Sequence, residues 1–225
     1  MMALMNEQNS QRLRIKFRRG LELKYISHLD LMRFLVRALR RAEIPVVYSD
    51  GFSPHPKIAL AAPLSVGITG ENEFMDMVVT RAISFHWFMN SVNQQLPQGL
   101  EILEVYPIAP SIPSLQSQVR FAQFRVEITT NKSREEIETA VDRLLSLETL
   151  PWHHERDTGR RDYDLRVLIE DITINECING NCVLEMKLRC DESGSGRPEQ
   201  VVYALGFNEY PKSIERSSLI LGSRR

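Results

Sequence analysis

The sequence holds 225 residues, with 28 Lys and Arg against 29 Asp and Glu, 43% apolar and 8% aromatic side chains. This length allows one large domain or two small ones, and the composition excludes disordered, collagen-like and low-complexity chains. No stretch approaches the roughly 20 apolar residues that cross a bilayer, and the start lacks a signal-peptide core. The three cysteines, Cys177, Cys182 and Cys190, are too few for a secreted disulfide scaffold. A cytoplasmic protein with no membrane role is expected. The near-neutral total hides a division: residues 1–60 carry 11 basic and 5 acidic side chains, and the remainder carries 17 and 24. A local basic excess attracts phosphates, or is simply an unevenly charged solvated surface.

Residues 1–11 are expected to form a disordered tail. Arg12 to Arg18 then alternates polar and apolar residues, placing Leu13, Ile15 and Phe17 on one side of a half-buried strand. Beyond the turn Arg19-Gly20, Ser27 reads as an N-cap and Asp30 as a first-turn carboxylate. The helix behind them carries Leu31, Leu35, Ala38, Leu39 and Ala42 at helical spacing, and Pro45 prevents its continuation. A turn-rich stretch over 49–56 follows, then an extended piece at 57–62 and a strand at 74–80. A second helix at 84–96, closed by Pro97 and Gly99, leads to a strand at 100–106. The order is β-α-β-β-α-β, the split β-α-β or ferredoxin-like arrangement.

Pro107, Pro110 and Pro113 punctuate a linker at 108–117, separating a domain at 12–107 from a second at 118–225. The same order returns there. A strand is expected at 119–129, and Ser133-Arg-Glu-Glu136 resembles a capping box opening a helix to about Leu147. Strand-like runs at 163–174 and 182–190 flank the turn Asn179-Gly180-Asn181. Pro198 suits the first position of a helix to about Leu205, and 213–221 closes the unit as a strand. The expected fold class is α+β: two tandem ferredoxin-like domains with helices packed on antiparallel sheets. The duplication rests on element order, since no residue-level repeat is present.

Ser27-His28-Leu29-Asp30 and the helix behind it form the strongest constellation. Arg33, Arg37, Arg40 and Arg41 fall within about 100° of the helix surface. Arginine forks match phosphate oxygens bidentately, so this face suits RNA or another anion; the alternative is the solvated face of an amphipathic helix. Gly51-Phe-Ser53-Pro-His55-Pro-Lys57 is the second constellation. Its prolines stiffen the backbone around His55, whose imidazole can act as acid, base or donor beside the anion-binding candidates Ser53 and Lys57, or can be a plain surface residue. Cys177-x4-Cys182-x7-Cys190 lacks zinc-site pairing and suits a hairpin, and the adjacent His153 and His154 point apart in an extended segment. No metal is expected. The loop Gly194-Ser-Gly-Arg-Pro198 suits an anion at a helix start or a plain connector, and phosphate-loop, dinucleotide and nucleophile-elbow motifs are absent.

The run Tyr25-Ile-Ser-His-Leu-Asp-Leu-Met-Arg33, then Arg37-Ala-Leu-Arg-Arg-Ala42, then Tyr48-Ser-Asp-Gly-Phe-Ser-Pro-His-Pro-Lys-Ile58, resembles the radical SAM-linked protein family. This is an uncharacterised bacterial domain of unknown function. Pro63-Leu-Ser-Val-Gly67 and Asp164-Leu-Arg166 also resemble its pattern, adding Ser27, Asp30, Asp164 and Arg166 to the family-motif residues. The resemblance implies a separate radical SAM protein as partner and an RNA-related task. The chain itself has no C-x3-C-x2-C motif, so no iron–sulfur cluster or other cofactor is expected in it. Tandem ferredoxin-like folds also occur in CRISPR RNA-processing endonucleases and some pseudouridine synthases, but the glycine-rich loop of the former has no counterpart here. Two readings follow. The first is a non-catalytic accessory module that binds RNA or another anionic substrate. The other is an RNA-processing or RNA-modifying enzyme with His28 or His55 as acid–base residue.

Overall fold

In the computed structural model of the chain, residues 10–156 and 159–222 are described, and most of the expected tail lies outside them. Gln11, placed in that tail from sequence, instead opens the first strand, β1 (Gln11–Arg19). Leu13, Ile15 and Phe17 are buried on one face of β1, as their alternation requires. After a short 3-10 turn at Leu21–Leu23, Ser27 caps α1 (His28–Arg41) by accepting from the Asp30 amide. The chain continues through β2 (Ile58–Leu60), β3 (Thr69–Val79), α2 (Phe85–Asn93), β4 (Leu100–Ile108) and α3 (Leu115–Gln118).

Contacts divide the chain into two units, Met1–Gln118 and Val119–Arg225. In the first, the antiparallel sheet runs β2-β3-β1-β4. Its inner face, with Met75 and Met77 of β3 and Ile102 of β4, packs against Leu31, Leu35, Ala38 and Leu39 of α1 and Phe88 and Val92 of α2. Burying such a side chain fully contributes roughly 1.5–3 kcal/mol, so this cluster holds the unit together. Residues 108–117, expected as a linker, are tied to this unit. Arg12 donates to the carbonyls of Ile112 and Pro113, Gln116 donates to Leu60, and Leu115 is buried.

The second unit runs through β5 (Val119–Thr129), α4 (Arg134–Leu145), β6 (Pro151–Arg156), β7 (Gly159–Asp164), β8 (Ile169–Ile178), β9 (Asn181–Asp191), β10 (Gly194–Ser195), α5 (Pro198–Ala204) and β11 (Ser213–Leu221). Its main sheet is antiparallel in the order β8-β9-β5-β11, with β10 extending the β8 edge of β9. The capping box at Ser133 and Glu136 forms, and Pro198 opens α5. Asn179 and Gly180 both have positive φ, as a two-residue hairpin turn demands. Two features depart from the sequence reading. The run at 163–174 is split by a 3-10 turn at Arg166–Leu168, and β6 pairs with β7 as a separate hairpin. In addition, Cys177 and Cys182 face each other across β8 and β9 and are joined as a disulfide. No helix among the described residues is long and apolar enough to cross a membrane.

Candidate functional site

Three polar side chains lock the first turn of α1. Ser27 Oγ accepts from the Asp30 amide at 3.1 Å and donates to the Asp30 carboxylate at 2.7 Å. Arg33 reaches the other carboxylate oxygen at 2.9 Å. The Ser27 hydrogen bond first, then Arg33, hold the Asp30 carboxyl below its ordinary pKa. Ser27 and Asp30 therefore act as a helix cap, and Asp30 neutralises part of the charge of Arg33.

The other arginines divide by partner. Arg41 donates to the Gln95 carbonyl at 2.7 Å, tying α1 to the end of α2. Arg37 and Arg40 are exposed and, among the described residues, have no ion-pair or hydrogen-bond partner. The four arginines share a sector of α1, as their spacing predicts, but only Arg37 and Arg40 are unengaged.

The loop carrying His55 is closed by its own backbone. Lys57 donates to Val47 at 2.7 Å, Tyr48 pairs with Pro56, and Ser49 donates to the His55 carbonyl at 2.8 Å. The His55 amide returns a bond to Ser49 Oγ at 3.0 Å. Gly51, at φ 116°, takes a conformation that other residues rarely adopt. Val47 also donates to the Val78 carbonyl, which fixes the base of the loop to β3.

Between this loop and α1 lies a groove of about 530 Å³, lined by Leu29, Met32, Val36, Arg33, Arg37, His55, Pro56 and Ile58. The structure thus brings together Arg33, Arg37 and His55. Arg40, Arg41, Ser53, Lys57 and His28 do not line this groove. Ser53 and Lys57 are exposed. His28, at the first position of α1, has a buried Nδ1 without a hydrogen-bond partner. The apolar stripe Leu29, Met32 and Val36 was not singled out in the sequence. Its signal is apolar residues at i, i+3 and i+7, offset from the core stripe of Leu31, Leu35 and Ala38.

Asp164 and Arg166 occupy a different place. Asp164 accepts from the amides of Leu150 and Arg166, at 2.8 and 2.9 Å. Arg166 donates twice to the Leu145 carbonyl at the end of α4 and once to that of Ile169. This pair fastens the root of the β6–β7 hairpin to the last turn of α4, where a cation complements the helix dipole. Among the described residues no three His, Cys, Asp or Glu side chains gather to hold a metal ion.

The protein is of the mixed α+β class with mostly antiparallel sheets. A chain of the crystal structure of a Cbf5-Nop10-Gar1 complex matches it with a TM-score of 0.51 at 8% identity, covering 96% of this chain and 50% of that one. The archaeal box H/ACA sRNP Nop10-Cbf5 complex gives 0.46 at 8%, over 95% and 49%. The H/ACA RNP bound to a substrate RNA containing 2'-deoxyuridine gives 0.44 at 8%, over 95% and 48%. The chain thus spans about half the length of these solved chains, and the likeness to the first is one of fold alone. By sequence, residues 12–198 match the family described as an uncharacterized protein conserved in bacteria, DUF2344, and the chain belongs to that family. No curated protein matches the sequence.

Proposed function

We propose that this chain is a non-catalytic module that binds RNA, or another anionic chain, through the α1–His55 face of its first unit. It works beside a separate radical SAM protein. The observation that carries the binding reading is the groove lined by Arg33, Arg37 and His55 together with five apolar side chains, with Arg40 exposed on the same helix. Arginines presented together on a rigid helix suit phosphate oxygens. The partnership rests on the sequence resemblance alone. The two units are read as tandem ferredoxin-like domains, since each contains the order β-α-β-β-α-β, followed by α3 in the first and with the β6–β7 hairpin and the two-residue β10 added in the second. Fold does not imply function, so the fold likeness adds nothing to the choice of ligand.

The test is the salt dependence of RNA affinity, read by fluorescence anisotropy with a short labelled RNA. Each phosphate neutralised should add about 0.7–0.9 to the slope of log affinity against log salt. Replacing Arg33, Arg37 and Arg40 together with Gln should flatten the slope and leave the fold intact. Absence of binding by the parent protein at moderate salt removes the reading.

A further inference from the structure

We propose that the groove between α1 and the His55 loop seats an unpaired nucleobase, so that the RNA held by the first unit is single-stranded. This rests on the RNA reading above and narrows it.

The lining decides between the forms of RNA. Five of its eight residues are apolar, Leu29, Met32, Val36, Pro56 and Ile58, while Arg33, Arg37 and His55 supply the polar groups. A surface that tracks only phosphates gains nothing from an apolar lining. In an A-form duplex the base faces are stacked on one another, and a protein meets chiefly phosphates and 2′-hydroxyls. No base face is then free to enter a concave apolar site. Single-stranded RNA offers both halves of the required chemistry, a flat apolar face and an adjoining phosphate, and is commonly held by stacking beside cations. The groove presents both halves in one place.

Three further features agree. Arg33 and Arg37 are one turn apart, about 6 Å along the helix axis, so they can follow successive phosphates of one chain. Leu29 is 65% exposed on the groove wall, leaving apolar surface open for contact. On the adjoining loop, Tyr48 is half exposed and Phe52 fully so. The Ser49–His55 bonds hold that loop closed, which reduces the ordering cost of using these rings as stacking platforms for neighbouring bases. The volume also bears on the occupant. About 530 Å³ falls in the range of small-ligand pockets.

The experiment measures the affinity of the full chain for three labelled probes of equal length. These are a mixed-sequence ten-nucleotide RNA, the same RNA annealed to its complement, and an abasic analogue that keeps the phosphates. The proposal expects the natural single strand to bind at least tenfold more tightly than either of the others. Leu29→Gln should remove most of that preference and leave the salt slope unchanged. Equal binding of the natural and abasic strands overturns the base seat while leaving the RNA reading in place. Failure of all three probes to bind overturns both. Binding of an acidic amphipathic peptide that Leu29→Gln abolishes, with no RNA binding, assigns the groove to a protein partner instead.

Discussion

Arg14 and Asp76 meet across β1 and β3 as a bidentate pair, with nitrogen–oxygen distances of 2.8 and 3.1 Å. Arg12 adds a contact to the same carboxylate at 2.7 Å, and Gln118 accepts from the remaining nitrogen of Arg14 at 3.1 Å. Tyr106 lies in register with Arg14 on β4, where burial raises its phenol pKa. This cluster sits on the face of the sheet opposite α1 and α2, because residues 12, 14 and 16 alternate with the core residues of β1. One carboxylate compensates two guanidinium groups there.

Removing that carboxylate should therefore cost more than removing the pair. Asp76→Ala strands a buried cation and is expected to destabilise the protein by about 3–5 kcal/mol, whereas the double variant Arg14→Met/Asp76→Leu should recover most of the loss. Urea unfolding monitored by tryptophan fluorescence reads both values. A loss below about 1 kcal/mol in Asp76→Ala would show that water replaces the carboxylate.

The pair Asp164 and Arg166 should behave as a structural fastening. Charged hydrogen bonds contribute about 1.5–3 kcal/mol each, so Arg166→Ala is expected to lower the stability of the second unit by at least that much. Arg166→Lys should restore only part of it, because an ammonium cannot reproduce the fork that reaches both Leu145 and Ile169. RNA affinity, measured where the variants are folded, should not change. Loss of affinity in a folded Arg166→Ala protein would move these residues into the binding machinery.

What the sequence showed depended on how local the governing physics was. The capping box at Ser133, the N-cap at Ser27, Pro198 at a helix start and the Asn179-Gly180 turn are each set by a few neighbouring residues, and all form. The β6–β7 hairpin was hidden because Trp152-His-His-Glu lacks the apolar alternation that marks a half-buried strand. The four arginines were found as a sector, but partners 3 and 54 residues away in sequence divide them: Asp30 holds Arg33, and the Gln95 carbonyl holds Arg41. The second of these is a tertiary contact that no periodicity reports. The groove likewise needed the fold, since β3 fixes the base of the loop that brings His55 to α1.

The cap of α1 should titrate on the acid side. The pKa of Asp30 is lowered in the folded chain by Ser27 and then by Arg33, so its contribution is present above the unfolded carboxylate pKa. That contribution is lost as pH falls through the lower folded value. An NMR titration of the Asp30 side-chain carboxyl should place its midpoint below the ordinary aspartate value, and Ser27→Ala should move it upward. An unshifted midpoint in the parent protein would mean that the Ser27–Asp30–Arg33 arrangement does not persist in solution.

His55 discriminates a binding module from an enzyme. A general acid–base histidine contributes about 10²–10⁴-fold to rate, whereas a histidine in a binding groove changes affinity. Purified protein incubated with cellular RNA is expected to leave it neither cleaved nor modified, and His55→Ala should weaken binding only. Cleavage by the parent that disappears in a folded His55→Ala or His28→Ala variant would favour the enzymatic reading. His28 is the poorer candidate of the two, because its Nδ1 is buried and it does not line the groove.

The proposed partnership with a radical SAM protein makes a prediction independent of RNA. An accessory module of the proposed kind should keep a surface for its partner. A stable complex of this kind buries about 1,200–2,000 Å² in total. The α1–His55 face is reserved for RNA in the reading above, so the partner should bind elsewhere and leave the groove open. Mixing the chain with a candidate radical SAM protein of the same genome should then give co-elution on size exclusion. Leu29→Gln and the Arg33, Arg37 and Arg40 replacements should leave that co-elution intact while weakening RNA binding. Competition between the single-stranded RNA and the partner would place both on one face and contradict a division of labour between surfaces. No association at tens of micromolar, with or without RNA, would leave the chain as an RNA-binding protein that acts without such a partner.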